Sequence, residues 1–442
     1  MAAALELSDD LAAAVLRRLP PRSLAVSRCV CRAWRDAIDA RRLLRADLLP
    51  RSVGGIFMNY CRLYSPELLS RPTTGRSISG DLEFIPGISQ VVDHCDGLLL
   101  IQATSAGYVA NPATRRWARL PPCPMRDDAF RQIKCLVYDP TMSPHYEVFL
   151  VPSLPGKNPN PDMAQPKWPP SSHALQLQVF SSITGCWEER SFVREGEHRE
   201  EVRDECCVID SKIYWLGALY VLCSGFVLRI SISSAKYRWV PRPSRVEFRQ
   251  YGCLSLGRSE KGVYCAFQHD WQGLRIFHLN ESSVQVGWEL KHIVDFTSFA
   301  RKLHERDSSE QHKGPWILQD INYYKYPYDN DEHREIVEDK FEWNSDDDNV
   351  LNTEDMVQGS YEGYISFLGF HPYKEIVFLN AALRRAVAYH WNTSKFQDLG
   401  NIYPEHYDES AFQFAQIETS YIHTPCWMDD FPGINLEARI ED

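Results

Sequence analysis

From Leu7 to about Leu49 the apolar residues recur with helical spacing. Leu11, Val15 and Leu19 lie four apart with Leu16 beside Val15, so one side of a first helix is apolar. Ser8 can cap that helix, Asp9 and Asp10 complement the positive end of its dipole, and Pro20-Pro21 stops it. A second stretch beginning near Arg22 carries Leu24, Val26 and Val30. A third places Cys31, Trp34 and Ile38 at i, i+3 and i+7. Three short helices in so little chain make only a small core, and the apolar positions outnumber what it can bury. The surplus either packs on the following domain or forms an interface.

After Pro50 the spacing changes. Short β-branched and aromatic runs broken by Gly, Pro, Asn, Asp and Ser read as strands and turns. A unit recurs: an apolar strand, an aromatic strand, then a strand, a polar turn and an aromatic residue. Copies run from Asp93 to Trp117, through LVYDPTMSPHYEVFLVP to Trp187, through CCVIDSKIYWLGALY to Trp239, through GCLSLGRSEKGVYCAF to Trp288, and through YISFLGFHPYKEIVFLN to Phe396. The first four closing aromatics are separated by 70, 52 and 49 residues, a repeat of propeller-blade length. The 108 residues from Trp288 to Phe396 leave room for two units, with Trp343 near the midpoint. The pattern therefore predicts a mostly β chain, a small α module at residues 1–50 and a β-propeller at 51–442. About six blades are expected, or seven if the strands of residues 54–90 make a blade of their own or complete the last one. Two stretches interrupt the repeat: a Pro-rich insert at 152–172, which cannot sustain a ladder, and an acidic insert at 329–355 with twelve acids against Arg334 and Lys340. Either could face a target.

Composition narrows the function classes. The net charge of -11 divides unevenly: residues 1–51 hold ten Arg against six acids, or +4, which leaves -15 for the rest. An acidic balance argues against a general nucleic-acid binder, although an Arg-rich head can meet an acidic protein. No run approaches the ~20 apolar residues of a membrane helix, and Met1 to Asp10 is acidic rather than a basic leader, so the chain is expected to be neither secreted nor membrane-spanning. Thirteen irregularly spaced cysteines fit reduced thiols in the nucleus or cytoplasm. No phosphate-binding Gly-rich loop, dinucleotide fingerprint, nucleophile elbow or paired-His metal helix is present. Catalytic residues, metal ligands and cofactors are accordingly expected to be none. Cys29 and Cys31 point apart on a helix and read as packing residues.

The segment LSDDLAAAVLRRLPPRSLAVSRCVCRAWRDAIDARRLL, Leu7 to Leu44, resembles the F-box motif in its plant versions. It has the opening leucine, the LxxxVL run, Leu19-Pro20, the PRSL segment, Val30-Cys31 and Trp34, with Arg32 at the basic position. Ser8 stands where proline is common, a change a helix cap tolerates. The resemblance implies docking on a Skp-type adaptor, and through it on cullin and RING subunits, with Leu7, Leu11, Leu16, Leu19, Pro20, Leu24, Val30 and Trp34 on the adaptor-binding positions. GFHPYKEIVFLN, IYW before FVLRISI, and VFSSITGCW are similar to the F-box-associated β-propeller regions of plant proteins. Together the resemblances imply a non-catalytic substrate receptor of a ubiquitin ligase that holds an unknown target protein. Three competitors remain open: an F-box scaffold or cofactor without ubiquitin transfer, a propeller enzyme or carbohydrate-binding domain, and a nucleic-acid contact through the Arg-rich head.

Overall fold

The computed structural model of the chain describes residues 9–19, 23–24, 27, 30–41, 43, 49, 51–87, 89–104, 106–123, 131–153, 174–195, 211–223, 226–243, 253–269, 273–281, 286–296, 299, 314–325, 343–344, 350–351, 365–382, 384–407, 415–428 and 431–432. Two helices, α1 (Asp9–Leu16) and α2 (Arg32–Ala40), precede the sheets, and Ser23, Leu24 and Ser27 between them are also helical.

The strands form six antiparallel blades. Blade two is β3 (Ser89–Cys95), β4 (Leu98–Ala103), β5 (Gly107–Asn111) and β6 (Arg116–Arg119). Blade three is β7 (Arg131–Val137), β8 (Glu147–Ser153), β9 (Ala174–Ser181) and β10 (Cys186–Arg194). Blade four is β11 (Ser211–Trp215), β12 (Ala218–Leu222), β13 (Phe226–Ser231) and β14 (Lys236–Pro241). Blade five is β15 (Cys253–Ser259), β16 (Gly262–His269), β17 (Gly273–Glu281) and β18 (Val286–Asp295). Blade six is β21 (Ile365–Phe370), β22 (Ile376–Ala381), β23 (Arg385–His390) and β24 (Lys395–Asn401), with the short β20 (Val350–Leu351) on its edge. Blade one is composite: β1 (Gly55–Tyr60) and β2 (Glu67–Ser70) lie between the C-terminal β25 (Ile417–His423) and β19 (Ile317–Leu318).

The ring closes. Each inner strand touches the next in the order β25, β3, β7, β11, β15, β21 and back to β25. Six buried hydrophobic clusters fill the spaces between neighbouring blades, one per pair. Burial between two neighbours explains the texture of the sequence. The second strand of a blade has both faces covered and reads as an apolar run, as in LLLIQA, ALYVL and IVFLNA. Outer strands such as β10 and β18 are largely exposed and polar.

The recurrent closing aromatics also find their place: Trp117, Trp187, Trp239, Trp288 and Phe396 all lie on the fourth strand of a blade. Two of them tie their blade to the one before. The indole of Trp187 donates to Pro121 O at 3.1 Å, and that of Trp288 to Pro241 O at 2.8 Å. The turn before the fourth strand carries a positive-φ residue, at Arg115, Gly185, Ala235 and Ser394 (φ 56°, 69°, 50° and 55°), as a tight hairpin with a left-handed closing residue requires.

The expected blade number stands, but its bookkeeping differs. Among the described residues, the interval from Trp288 to Phe396 supplies one blade, not two. Trp343 closes no strand; it is buried edge-on against Trp316 in the cluster between blades six and one, where its carbonyl accepts from Arg71 Nη2 at 2.8 Å. The sixth unit comes from residues 55–70 joined to the C-terminal strand. Residues 314–325 return to blade one and are pinned there by Glu67. Its buried carboxyl accepts from the Ile321 and Asn322 amides at 2.6 and 2.9 Å and from Asn322 Nδ2 at 2.7 Å, at the start of the short helix α3 (Ile321–Lys325). Blades three and four are further joined at their edges by parallel pairing of Val193 with Lys236 and Arg194 with Tyr237.

The inserts fall mostly outside the described residues. Pro152 was expected in the Pro-rich loop but lies within β8, opposite Gln132; residues 154–172 are not described. Of the acidic insert, Trp343, Asn344, Val350 and Leu351 are described.

Candidate functional site

The N-terminal module sorts its apolar side chains into two sets. Leu16, Leu24 and Ile38 are buried against one another, with Leu19, Ala37 and Leu43 packed at the rim. A 2.6 Å ion pair from Asp10 in α1 to Arg41 just beyond α2 ties the two helices, and Ser27 Oγ donates to Ser23 O at 2.8 Å, one turn earlier. Outside this core stand Leu11, Val15, Val30 and Trp34, which are 55%, 50%, 62% and 37% exposed. The i, i+4 spacing puts Leu11 and Val15 together on one side of α1, and Trp34 lies in the first turn of α2 close to Val30. Isolated exposed apolar residues are ordinary. Four large ones on a module of this size are more than chance exposure usually leaves.

The predicted adaptor residues thus divide. Leu11, Val30 and Trp34 lie on the exposed surface; Leu16 and Leu24 form the core that supports it; Leu19 is half-buried between the two. Leu7 and Pro20 lie outside the described residues. Val15 was missing from that set although it is half exposed. Its signal was in the sequence, four residues after Leu11 in the LxxxVL run.

Elsewhere the buried acids are engaged in structure. Burial pushes Glu67 up to about 7, against the amides of Asn322 and Ile321 that pull it down. Asp93 is pushed up to about 6 by burial while accepting from Leu136 N at 2.7 Å, which staples blade two to blade three. Asp320, pushed up to about 7 by burial, accepts from Glu405 N at 2.9 Å. Among the described residues, no three His, Cys, Asp or Glu side chains are grouped to hold a metal ion, and no helix is long and apolar enough to cross a membrane.

Residues 4–46 match the sequence profile of the F-box domain. The F-box protein At5g07610 of Arabidopsis thaliana is 23% identical over 329 residues, covering 68% of this chain and 73% of its own length. The putative F-box protein At3g16210 of the same plant is 24% identical over 249 residues, 54% of this chain and 61% of that protein. Among solved structures, apo AztD from Citrobacter koseri aligns over 82% of this chain and 88% of its own at 10% identity, with a TM-score of 0.31. At that score the fold assignment rests on the sheet topology above.

Proposed function

Since this chain carries an F-box domain at residues 4–46 ahead of a six-bladed β-propeller, we propose that it is the substrate-receptor subunit of a Skp-cullin-F-box ubiquitin ligase. The helical module grips a Skp-type adaptor, which connects to cullin and RING subunits, and the propeller holds a target protein. The subunit performs no bond chemistry. It keeps the target's lysines at high effective concentration beside a charged conjugating enzyme. Its place of action is the nucleus or cytoplasm.

The observation that carries this reading is the exposed set Leu11, Val15, Val30 and Trp34 around a core complete without them. Buried aromatic and aliphatic anchors dominate the energetics of such contacts. The test is co-expression of the full chain with a plant Skp-type adaptor and cullin, followed by size-exclusion chromatography. Co-elution of all three is expected. A chain that elutes alone while folded would defeat the proposal, and adaptor without cullin would turn it toward a scaffold that transfers no ubiquitin.

A further inference from the structure

The propeller axis encloses a cavity of about 250 Å³ walled by residues of the inner strands β3, β11, β15, β21 and β25. Where these strands end, Arg258 of β15 pairs with Asp96 in the β3–β4 turn, one guanidinium nitrogen lying 3.0 Å from Asp96 Oδ2 and the other bonded to Oδ1. Blades two and five are three steps apart in a ring of six, so this pair spans the axis. Burial deepens in the same direction. Along β25 the residues pass from exposed Glu418 and Thr419 to buried Ile422 and His423, and along β15 from exposed Cys253 to buried Ser259. Among the described residues the cavity is therefore blind at the Arg258–Asp96 end and open where the inner strands begin.

Inside it Lys212 has donors to spare. Asp96 is committed to Arg258, and Asp93 accepts from Leu136 N. Lys212 Nζ has three N–H groups and donates one, to Val92 O at 2.9 Å. His94 Nδ1 is buried without a hydrogen bond. Burial alone would lower the Lys212 ammonium, but attraction to Asp93, Cys135 and Tyr421 more than offsets it, so the group stays charged. A buried ammonium with spare donors is costly unless an acceptor meets it.

We propose that the axial pocket is a carboxylate-binding site in which Lys212 Nζ donates to a ligand entering by the open rim. A singly charged carboxylate fits better than a phosphate dianion, which Asp93, Asp96 and the rim residue Glu418 would repel. The carboxylate belongs either to an acidic side chain of a captured protein or to a small free acid. The inference goes beyond the ligase reading and does not depend on adaptor docking.

The experiment is ligand-observed NMR on the purified full chain with propionate, its neutral amide propionamide, and acetyl-aspartate N-methylamide. Saturable propionate binding is expected, weaker on the order of tenfold for propionamide and for Lys212→Met. Glu418→Gln, at an exposed position, should tighten propionate binding severalfold, most at low salt. Binding of the capped aspartate comparable to propionate identifies a chain-borne carboxylate; binding of propionate alone identifies a free acid. The proposal is overturned by absent saturable binding of either carboxylate, by equal binding of propionamide, or by undiminished binding to folded Lys212→Met. If Lys212→Met does not fold, as judged by tryptophan emission, unchanged affinity in Glu418→Gln overturns it.

Discussion

Replacing Trp34 by alanine separates the proposed docking surface from the core that supports it. Trp34 is 37% exposed, and of an indole side chain of about 250 Å² this leaves about 90 Å² for a partner to cover. At about 25 cal/mol per Å² the loss is about 2 kcal/mol of binding, close to thirtyfold in affinity. The isolated module should barely notice, because a substitution away from the core changes stability by about 0.5 kcal/mol or less. Ile38→Ala is the contrast. Ile38 is fully buried with Leu16 and Leu24, and emptying that site should cost about 2–5 kcal/mol, enough to unfold so small a core. Both variants should lose adaptor in a titration of the full chain followed by calorimetry. Limited proteolysis should show the module intact in Trp34→Ala and cleaved in Ile38→Ala. The reasoning fails if Trp34→Ala binds within about threefold of wild type, or if its module is cleaved as fast as that of Ile38→Ala.

Three further outcomes follow from the propeller. Glu67→Ala removes an acceptor from two amides and the Asn322 side chain; it should cost about 3 kcal/mol, read as a lower denaturant midpoint, and loosen residues 314–325 in hydrogen exchange. His423 is held neutral by burial, with His94 beside it, and its pKa is lowered to about 3. The unfolded chain binds this proton near pH 6.5 and the folded chain does not, so the stability from this group is complete above pH 6.5 and declines as pH falls toward 3. Against His423→Leu, wild type should lose up to about 1.4 kcal/mol more per pH unit across that window; parallel pH profiles would contradict it. Deleting residues 417–442 removes β25, the inner strand of blade one and a neighbour of β3 and β21. It should abolish cooperative unfolding of the whole propeller, whereas a truncated chain that keeps the wild-type melting transition would show that closure is dispensable.

The sequence alone determined what depends on local chemistry. Helical spacing and the Pro20-Pro21 stop marked the module, and the LxxxVL and Val30-Cys31-x-x-Trp34 offsets marked its kind. The blade repeat was legible because each blade lies between two others: second strands must be apolar on both faces, and the fourth strands of blades two to six carry an aromatic residue, whose indole in Trp187 and Trp288 reaches the preceding blade. Partner choices over long separations were not legible. The sequence left open whether the strands of residues 54–90 stand alone or join the last ones, and nothing near Gly55 specifies the strand some 360 residues later as the partner of β1, because one strand edge resembles another until the ring closes. Trp343 had the spacing of a closing aromatic, yet its place in the cluster between blades six and one depends on Trp316 and Arg71, which adjacency in sequence does not supply. The same holds for the module and the axis. Periodicity listed Leu16, Leu24, Val30 and Trp34 as equals, and only three-dimensional packing buried the first two and left the others outside. Arg258 and Asp96 are separated by 162 residues and meet because six strands converge on one line, where two charges facing each other across a narrow, poorly hydrated space are stable only as a pair.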